Sequence, residues 1–276
     1  MQKVIFLEQI QEFSDYIDQS VIDYISDGQI ETYESFERFD LIAFDWYDLQ
    51  SVDMPPAQIL IYIDRDDLFY ICENAFSYEV ANSLFIEHPS NEYAMYLFFR
   101  NLFKGSTRYI ELLEGRISEL DDDVSNGAGA GLKDGLTALR NEVLRAKKYY
   151  EQLESLFDEM CDNDGTLFSA DGLRRLDILR TRSVRFVAQT MNLKEYVTQV
   201  REAYQAQINI EQNNLMKVFT LVTSIFLPLT LIAGWYGMNL RMPEFEWKYG
   251  YLFVAGLSVA VCLIWFAVFK KKKWFK

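Results

Sequence analysis

Seven positions between 213 and 234 recur at steps of three and four residues: Asn213, Met216, Thr220, Thr223, Leu227, Thr230 and Gly234. The stretch around most of them, residues 218–236 (VFTLVTSIFLPLTLIAGWY), carries no charge. Such spacing places all seven on one face of a helix. A charge-free segment thus presents a stripe of amides and hydroxyls, interrupted by Met216 and Leu227. Several copies around an axis would line a narrow tube with oxygen dipoles and two apolar constrictions. The same hydroxyls could instead hold helices together in lipid and conduct nothing. Residue chemistry leaves both readings open.

A tube lined this way would select a cation by dipoles rather than by charge. No carboxylate lies in 218–236 or in the second charge-free stretch, 251–269 (YLFVAGLSVAVCLIWFAVF). Mg²⁺ gives up its waters reluctantly. Amide oxygens can accept hydrogen bonds from those waters and so test the size of the hydrated ion, while weak, multiple sites let it leave. A divalent ion gains about 4.6 kcal/mol per 100 mV on moving to a negative interior. No nucleotide-driven step is needed, and GAGAG at 127–131 is no phosphate loop, because it lacks the Gly-Lys-Ser/Thr ending.

Each apolar stretch is 19 residues, enough to cross a hydrocarbon core of roughly 30 Å. The tail after the second contains Lys270, Lys271, Lys272, Lys273 and Lys276, which places the C-terminus in the cytoplasm by the positive-inside rule. A polybasic tail can also simply bind anionic headgroups. Two spans return the chain to its starting side, so residues 1–214 are expected in the cytoplasm too. MQKVIFLEQIQEF has too short an apolar run for a signal peptide. The expected location is the cell membrane, with both termini cytoplasmic.

Charge divides along the chain. Residues 1–214 carry 39 acidic and 19 basic side chains, a net of −20, whereas 215–276 carry 2 and 8, a net of +6. An acidic body argues against nucleic acid and suits a cationic partner. Cys72, Cys161 and Cys262 are scattered and His88 is the single histidine, so neither a disulfide framework nor a zinc or copper cluster is expected. No nucleophile–base pair appears. Neither an enzyme nor a prosthetic group is indicated.

The rest of the chain must position the stripe. Residues 1–88 read as a small α/β domain, with strand candidates MQKVIFLE, FDLIAFDW, QILIYID and DLFYICE and a charged turn at Arg65-Asp66-Asp67. Residues 89–168 read as a helical hairpin: one helical run from about 90 to 124, a break at SNGAGAG, and a second run over 132–160. MCDNDG at 160–165 resembles the start of a calcium loop, but Met160 holds the first ligand position, so it reads as a turn. A third helix opens near Ser169 with Asp171 in its first turn. Apolar residues including Leu173, Leu176, Ile178, Leu179, Val187, Met191, Val197, Val200, Tyr204 and Ile208 keep helical spacing into the first span. That helix forms a stalk (169–214) and a first transmembrane helix (215–238), about 100 Å in all. A helix of such length with an apolar face needs partners. An external loop (239–249), a second transmembrane helix (250–269) and a basic tail (270–276) complete an α+β membrane protein expected to be oligomeric.

The string MKVFTLVTSIFLPLTLIAGWYGMNLRMPEFEWKYGY, with FKKKKWFK at the end, resembles the membrane module of the CorA magnesium transporters. Tyr236-Gly237-Met238-Asn239 is that family's hallmark, and Met242-Pro243-Glu244 its usual companion. The close match covers roughly 213–276; 90–212 match in helical layout only, and 1–85 barely. The resemblance implies a funnel-shaped homopentamer that passes Mg²⁺, and also Co²⁺ or Ni²⁺, with the lipid bilayer and its own copies as partners. It implies that the seven-residue stripe faces the channel. Gly237, Met238 and Asn239 would form the outer selectivity ring, and Phe219 and Leu227 the hydrophobic gate. Glu244 and Glu246 would concentrate cations in the external loop, and the tail lysines would form a basic collar. Mg²⁺ would also be the regulatory ion, closing the pore from inside, with Asp177 and Glu202 as candidate ligands. A count back from the hallmark puts Ile178, not Asp177, at the family's carboxylate position. Asp64, Asp66 and Asp67 are substitutes, although an ordinary charged turn accounts for them. Two other readings stand beside this one: the zinc-transporting branch of the same superfamily, coupled to protons, and a non-conducting membrane scaffold or sensor.

Overall fold

Alternating apolar runs in the first 72 residues pair into one five-stranded sheet. The computed structural model describes residues 1–26, 32–49, 51, 54–127, 131–162, 167–239 and 247–271. Strands β1 (Gln2–Phe6), β2 (Tyr33–Ser35), β3 (Phe39–Trp46), β4 (Ala57–Asp64) and β5 (Leu68–Cys72) lie in the order β1-β5-β4-β3-β2. The β1–β5 pair is parallel and the others antiparallel, with Ile42 opposite Ile61 and Ile61 opposite Tyr70. The four strand candidates are all present. The three-residue β2 is too short to leave an alternating pattern.

Both faces of the sheet are covered, which is why β5 is buried at all five positions. A 3-10 turn at Leu7–Phe13 and helix α1 (Gln19–Ser26) lie beside one face, where Ile10, Ile17 and Val21 join Ile5, Leu41, Tyr62, Phe69 and Ile71 in one apolar cluster. The other face meets α2 (Ala75–Leu84) and α3 (Asn91–Leu102). There the Tyr70 ring lies tilted against Phe98 with centroids 4.4 Å apart, and Phe44 lies 5.7 Å from Phe99.

The helical run expected over 90–124 is two helices, not one. It divides into α3 and α4 (Ser106–Ser125), because Gly105 takes φ +87°. That left-handed conformation costs glycine nothing and ends a regular helix. Helix α5 (Leu132–Asp162) returns antiparallel to α4, and Arg116 reaches both carboxylate oxygens of Glu142 at 2.5 and 2.9 Å.

Helix α6 runs unbroken for 67 residues, Ala170–Tyr236, passing through Pro228. Its buried seam is Leu176, Leu179, Ser183, Phe186, Thr190, Leu193, Val197 and Val200, again in steps of three and four. Phe186 stacks on Tyr150 at 4.9 Å and on Phe103 at 5.8 Å. Ser183 and Thr190 enter this seam by donating their hydroxyls to the carbonyls of Leu179 (3.1 Å) and Val187 (2.8 Å). The seam is narrower than the apolar face anticipated from sequence: Ile178 and Met191 are 42% and 46% exposed. Helix α7 (Gly250–Lys271) follows. Residues 1–201 and 202–276 form two compact units, with α6 contributing to both.

Asp40 is a fully buried carboxyl in the sheet. Tyr33 Oη donates to it at 2.9 Å and Ser35 Oγ at 2.7 Å. Desolvation raises its pKa above 3.8, and these two hydrogen bonds only partly oppose the rise. A raised carboxyl pKa means that folding favours the protonated form, so Asp40's contribution is full at acid pH and is lost as pH rises through the folded pKa. Thermal melts of the full chain should therefore show Asp40→Asn gaining on wild type as pH rises from about 3 to about 7. Parallel curves would remove Asp40 as the cause.

Candidate functional site

The stripe residues lie on the open side of α6. Met216, Phe219 and Leu227 are each more than 60% exposed, and Asn213, Thr220, Thr223, Thr230 and Gly234 are exposed as well. The half-covered positions fall on a different face: Leu221, Ser224, Ile225, Pro228, Leu229, Ile232 and Tyr236. At 100° per residue this second face points roughly away from the stripe. Helix α7 carries a matching half-covered line at Val254, Ser258, Val261, Cys262 and Trp265, which ends at the buried Phe269. Two helices laid side by side produce this pattern, and the polar stripe is left uncovered.

The three threonines on that open face share one geometry. Thr220 Oγ1 donates to the Met216 carbonyl at 2.7 Å, Thr223 to Phe219 at 2.8 Å, and Thr230 to Phe226 at 2.8 Å. Each hydroxyl spends its single proton inside its own helix, so only lone pairs remain to face outward. A row of such oxygens attracts cations or the protons of their waters, and it has nothing to offer an anion. Sequence spacing located these threonines but carried no sign of which way their dipoles point. Val222, Phe226, Leu231, Trp235 and Met238 join Thr223, Leu227, Thr230 and Gly234 in one shallow concave strip. Of these, Met238 is already a candidate from the sequence, whereas Val222, Phe226, Leu231 and Trp235 are not, because strict three-and-four stepping follows the centre of a face and passes over its margins.

At the head of the stripe the helix stops. Gly237 N–H reaches the Ala233 carbonyl at 2.8 Å and Met238 N–H the Trp235 carbonyl at 3.3 Å, and Asn239 follows, exposed, just beyond the last turn. Gly237 is required on steric grounds, since a Cβ there would sit 2.7 Å from the Ala233 carbonyl oxygen. Glu244 and Glu246 lie outside the described residues, as do Lys272, Lys273 and Lys276. Lys270 and Lys271 close the last turn of α7.

The carboxylates are engaged locally. Asp177 accepts from Arg180 Nη2 at 2.7 Å, and Arg180 Nη1 also reaches Asp158 on α5 at 3.2 Å. Glu202 is exposed, about seven helical turns further along α6, so one chain does not bring it to Asp177. Asp64 Oδ1 accepts the N–H groups of Asp66 and Asp67 at 2.8 and 2.6 Å, and Asp67 pairs with the Met1 ammonium at 2.5 Å. The charged-turn reading of 64–67 thus describes the structure. Among the described residues no group of three His, Cys, Asp or Glu side chains could hold a metal.

Helices α6 and α7 each contain a stretch long and apolar enough to cross a membrane. A family model for the CorA-like Mg²⁺ transporter protein matches residues 7–271. The chain belongs to this CorA family. The cobalt/magnesium transport protein CorA of Thermotoga maritima is 24% identical over 184 residues, covering 66% of this chain and about half (52%) of that protein's length. The magnesium transport protein CorA of Wolinella succinogenes is 27% identical over 92% of this chain and 87% of its own. The complete structure of the CorA magnesium transporter from Methanocaldococcus jannaschii shares the fold, with a TM-score of 0.78 at 19% identity over 99% of this chain and 90% of that one.

The two stripe-side glycines make a test. Gly237→Ala forces the turn to shift and should destabilise the purified protein by about 1–3 kcal/mol. A Cβ at Gly234 meets nothing within 4 Å in the chain, so Gly234→Ala should cost less. Melting temperatures in detergent compare the two. Equal losses would contradict the steric account of Gly237.

Proposed function

We propose that this CorA-family chain is a passive channel for Mg²⁺ uptake across the cell membrane, admitting Co²⁺ as well, and driven by the membrane potential. The observation that carries this reading is the inward donation of Thr220, Thr223 and Thr230, which leaves a line of lone pairs on the open face of an apolar helix. The names of the Thermotoga and Wolinella relatives agree with it.

The working unit is a homopentamer with its stripes turned to a common axis. Support for assembly comes from residues 209–220, which are exposed on every side in one chain. Leu215, Met216, Val218 and Phe219 among them are each at least 59% exposed, and such surface needs lipid or copies of itself to cover it. In the pentamer Asn213, Met216, Thr220, Thr223, Leu227, Thr230 and Gly234 line the path, and Phe219 and Leu227 constrict it. Gly237, Met238 and Asn239 form the entrance that hydrogen-bonds the waters of the hydrated ion. Glu244 and Glu246 gather cations outside, and the lysines from 270 onward collar the cytoplasmic side. Internal divalent ions close the pore by binding the closed arrangement more tightly. A regulatory ion at Asp177 competes there with Arg180, and Glu202 belongs to a separate level of the stalk.

Flux into proteoliposomes with an inside-negative potential tests the reading. Mg²⁺ should enter on potential alone once internal divalent ions are removed, and Asn239→Ala should lower that entry by at least about tenfold while the oligomer stays assembled. Zn²⁺ entry that requires a proton gradient would transfer the protein to the zinc reading. Flux of neither ion would leave a scaffold.

A further inference from the structure

The first turns of α3 and α6 are tied together by one carboxylate. Glu92 Oε1 accepts the Ser169 N–H at 3.0 Å, and Oε2 accepts the Ser169 hydroxyl at 2.6 Å. Ser169 Oγ in turn accepts the Gly172 N–H at 3.0 Å. A side chain at position 172 would run into the Glu92 carboxylate, so glycine there keeps the approach open. A carboxylate at a helix start is favoured by both the free N–H groups and the dipole. One residue on, the Tyr93 ring carries the Arg175 guanidinium of α6 at 4.7 Å. Residues 92 and 93 together hold the head of the long helix.

These two residues are set in turn by His88. Ser90 caps α3 by accepting the Tyr93 N–H at 3.4 Å, and its own N–H donates to His88 Nδ1 at 3.1 Å. The imidazole proton therefore belongs on Nε2. Gln2 of β1 grips the His88 main chain from both sides, donating to its carbonyl at 2.6 Å and accepting its N–H at 3.0 Å, and also donates to Asn91 Oδ1 at 2.8 Å. The imidazole lies on the Tyr93 ring with centroids 4.4 Å apart. One tyrosine thus has a neutral imidazole and a guanidinium as neighbours.

We propose that protonation of His88 loosens the hold of Glu92 and Tyr93 on the head of α6, so that residues 88–93 are a pH-responsive clasp. A protonated Nδ1 donates instead of accepting, and the Ser90 N–H loses its partner at the start of α3. The same proton sets a second cation beside the ring that already bears Arg175. Glu92 is the nearby carboxylate on α3, and any turn towards the imidazolium draws it off Ser169, which opens the clasp in the same direction. Gln2 faces the histidine from β1 without charge, the Met1 ammonium next to it is paired with Asp67, and Glu87 precedes His88 in the chain. Imidazole is the side chain that changes charge between pH 5 and 8. The inference concerns residues outside both apolar spans and stands whether or not the chain conducts Mg²⁺.

Hydrogen–deuterium exchange on the full-length protein in detergent tests it, at about pH 7.5 and about pH 5.5, with rates normalised to intrinsic exchange. Wild type at the lower pH should lose about fivefold protection in peptides covering 88–96 and 167–176, the size of one lost hydrogen bond. His88→Asn keeps an oxygen acceptor near Nδ1 and cannot titrate, so it should hold its protection at both pH values. Unchanged wild-type protection between the two overturns the proposal. Equal loss in His88→Asn does so too, by assigning the change to another group.

Discussion

A helix of 67 residues can persist only if every turn finds something to lie against. Most of this protein's structure meets that demand on α6. In water the demand is met by α5 and the Phe103–Tyr150–Phe186 ring stack, along a seam so narrow that Ser183 and Thr190 enter it only by turning their hydroxyls back on the helix. Further along, α6 and α7 each carry one line of half-covered positions. Between these two stretches, residues 209–220 are exposed throughout, and there the helix depends on what lies outside it. In lipid every hydroxyl proton must also stay within the protein, and the threonines of the stripe obey this by the same back-donation. One constraint thereby explains both how the helix survives and why its open face is electronegative.

Much of the fold could be read from the chain because its patterns are local. Strands β1, β3, β4 and β5 are apolar runs, and α6 announces itself by an apolar spacing that no glycine or proline interrupts between Leu173 and Pro228. What escaped reading was set by single residues or by tertiary contact. Gly105 divides α3 from α4 by adopting a backbone conformation that composition does not reveal. β2 is held to β3 by its backbone ladder and by Tyr33 and Ser35 reaching across to Asp40, a pairing that three residues cannot signal. Ile178 and Met191 keep helical spacing yet stay exposed, since spacing identifies a face and only the partner's width decides how much of it is covered.

The candidate site followed the same division. Periodicity alone put Asn213 through Gly234 on one side, and that side is the uncovered one. The direction of the threonine dipoles, the margins of the concave strip and the steric need for Gly237 are properties of the folded backbone and have no one-dimensional trace. The acidic candidates illustrate the converse. Asp177 looks free in the sequence, but Arg180 three residues later is positioned by the helix itself to neutralise it.

Pro228 adds a mechanical property to this helix. Proline has no N–H, so the carbonyl one turn earlier, on Ser224, lacks its helical donor. The gap falls on the half-covered side, next to Leu227 around the helix. A rod flexes where its section is weakest, and here one strut is missing from one side at one level. Bending about that level swings the residues beyond it, Thr230, Gly234 and the Gly-Met-Asn turn, as a single arm pivoting next to Leu227. The longest helix of the molecule thus contains one compliant joint, and Leu227 of the stripe sits beside it.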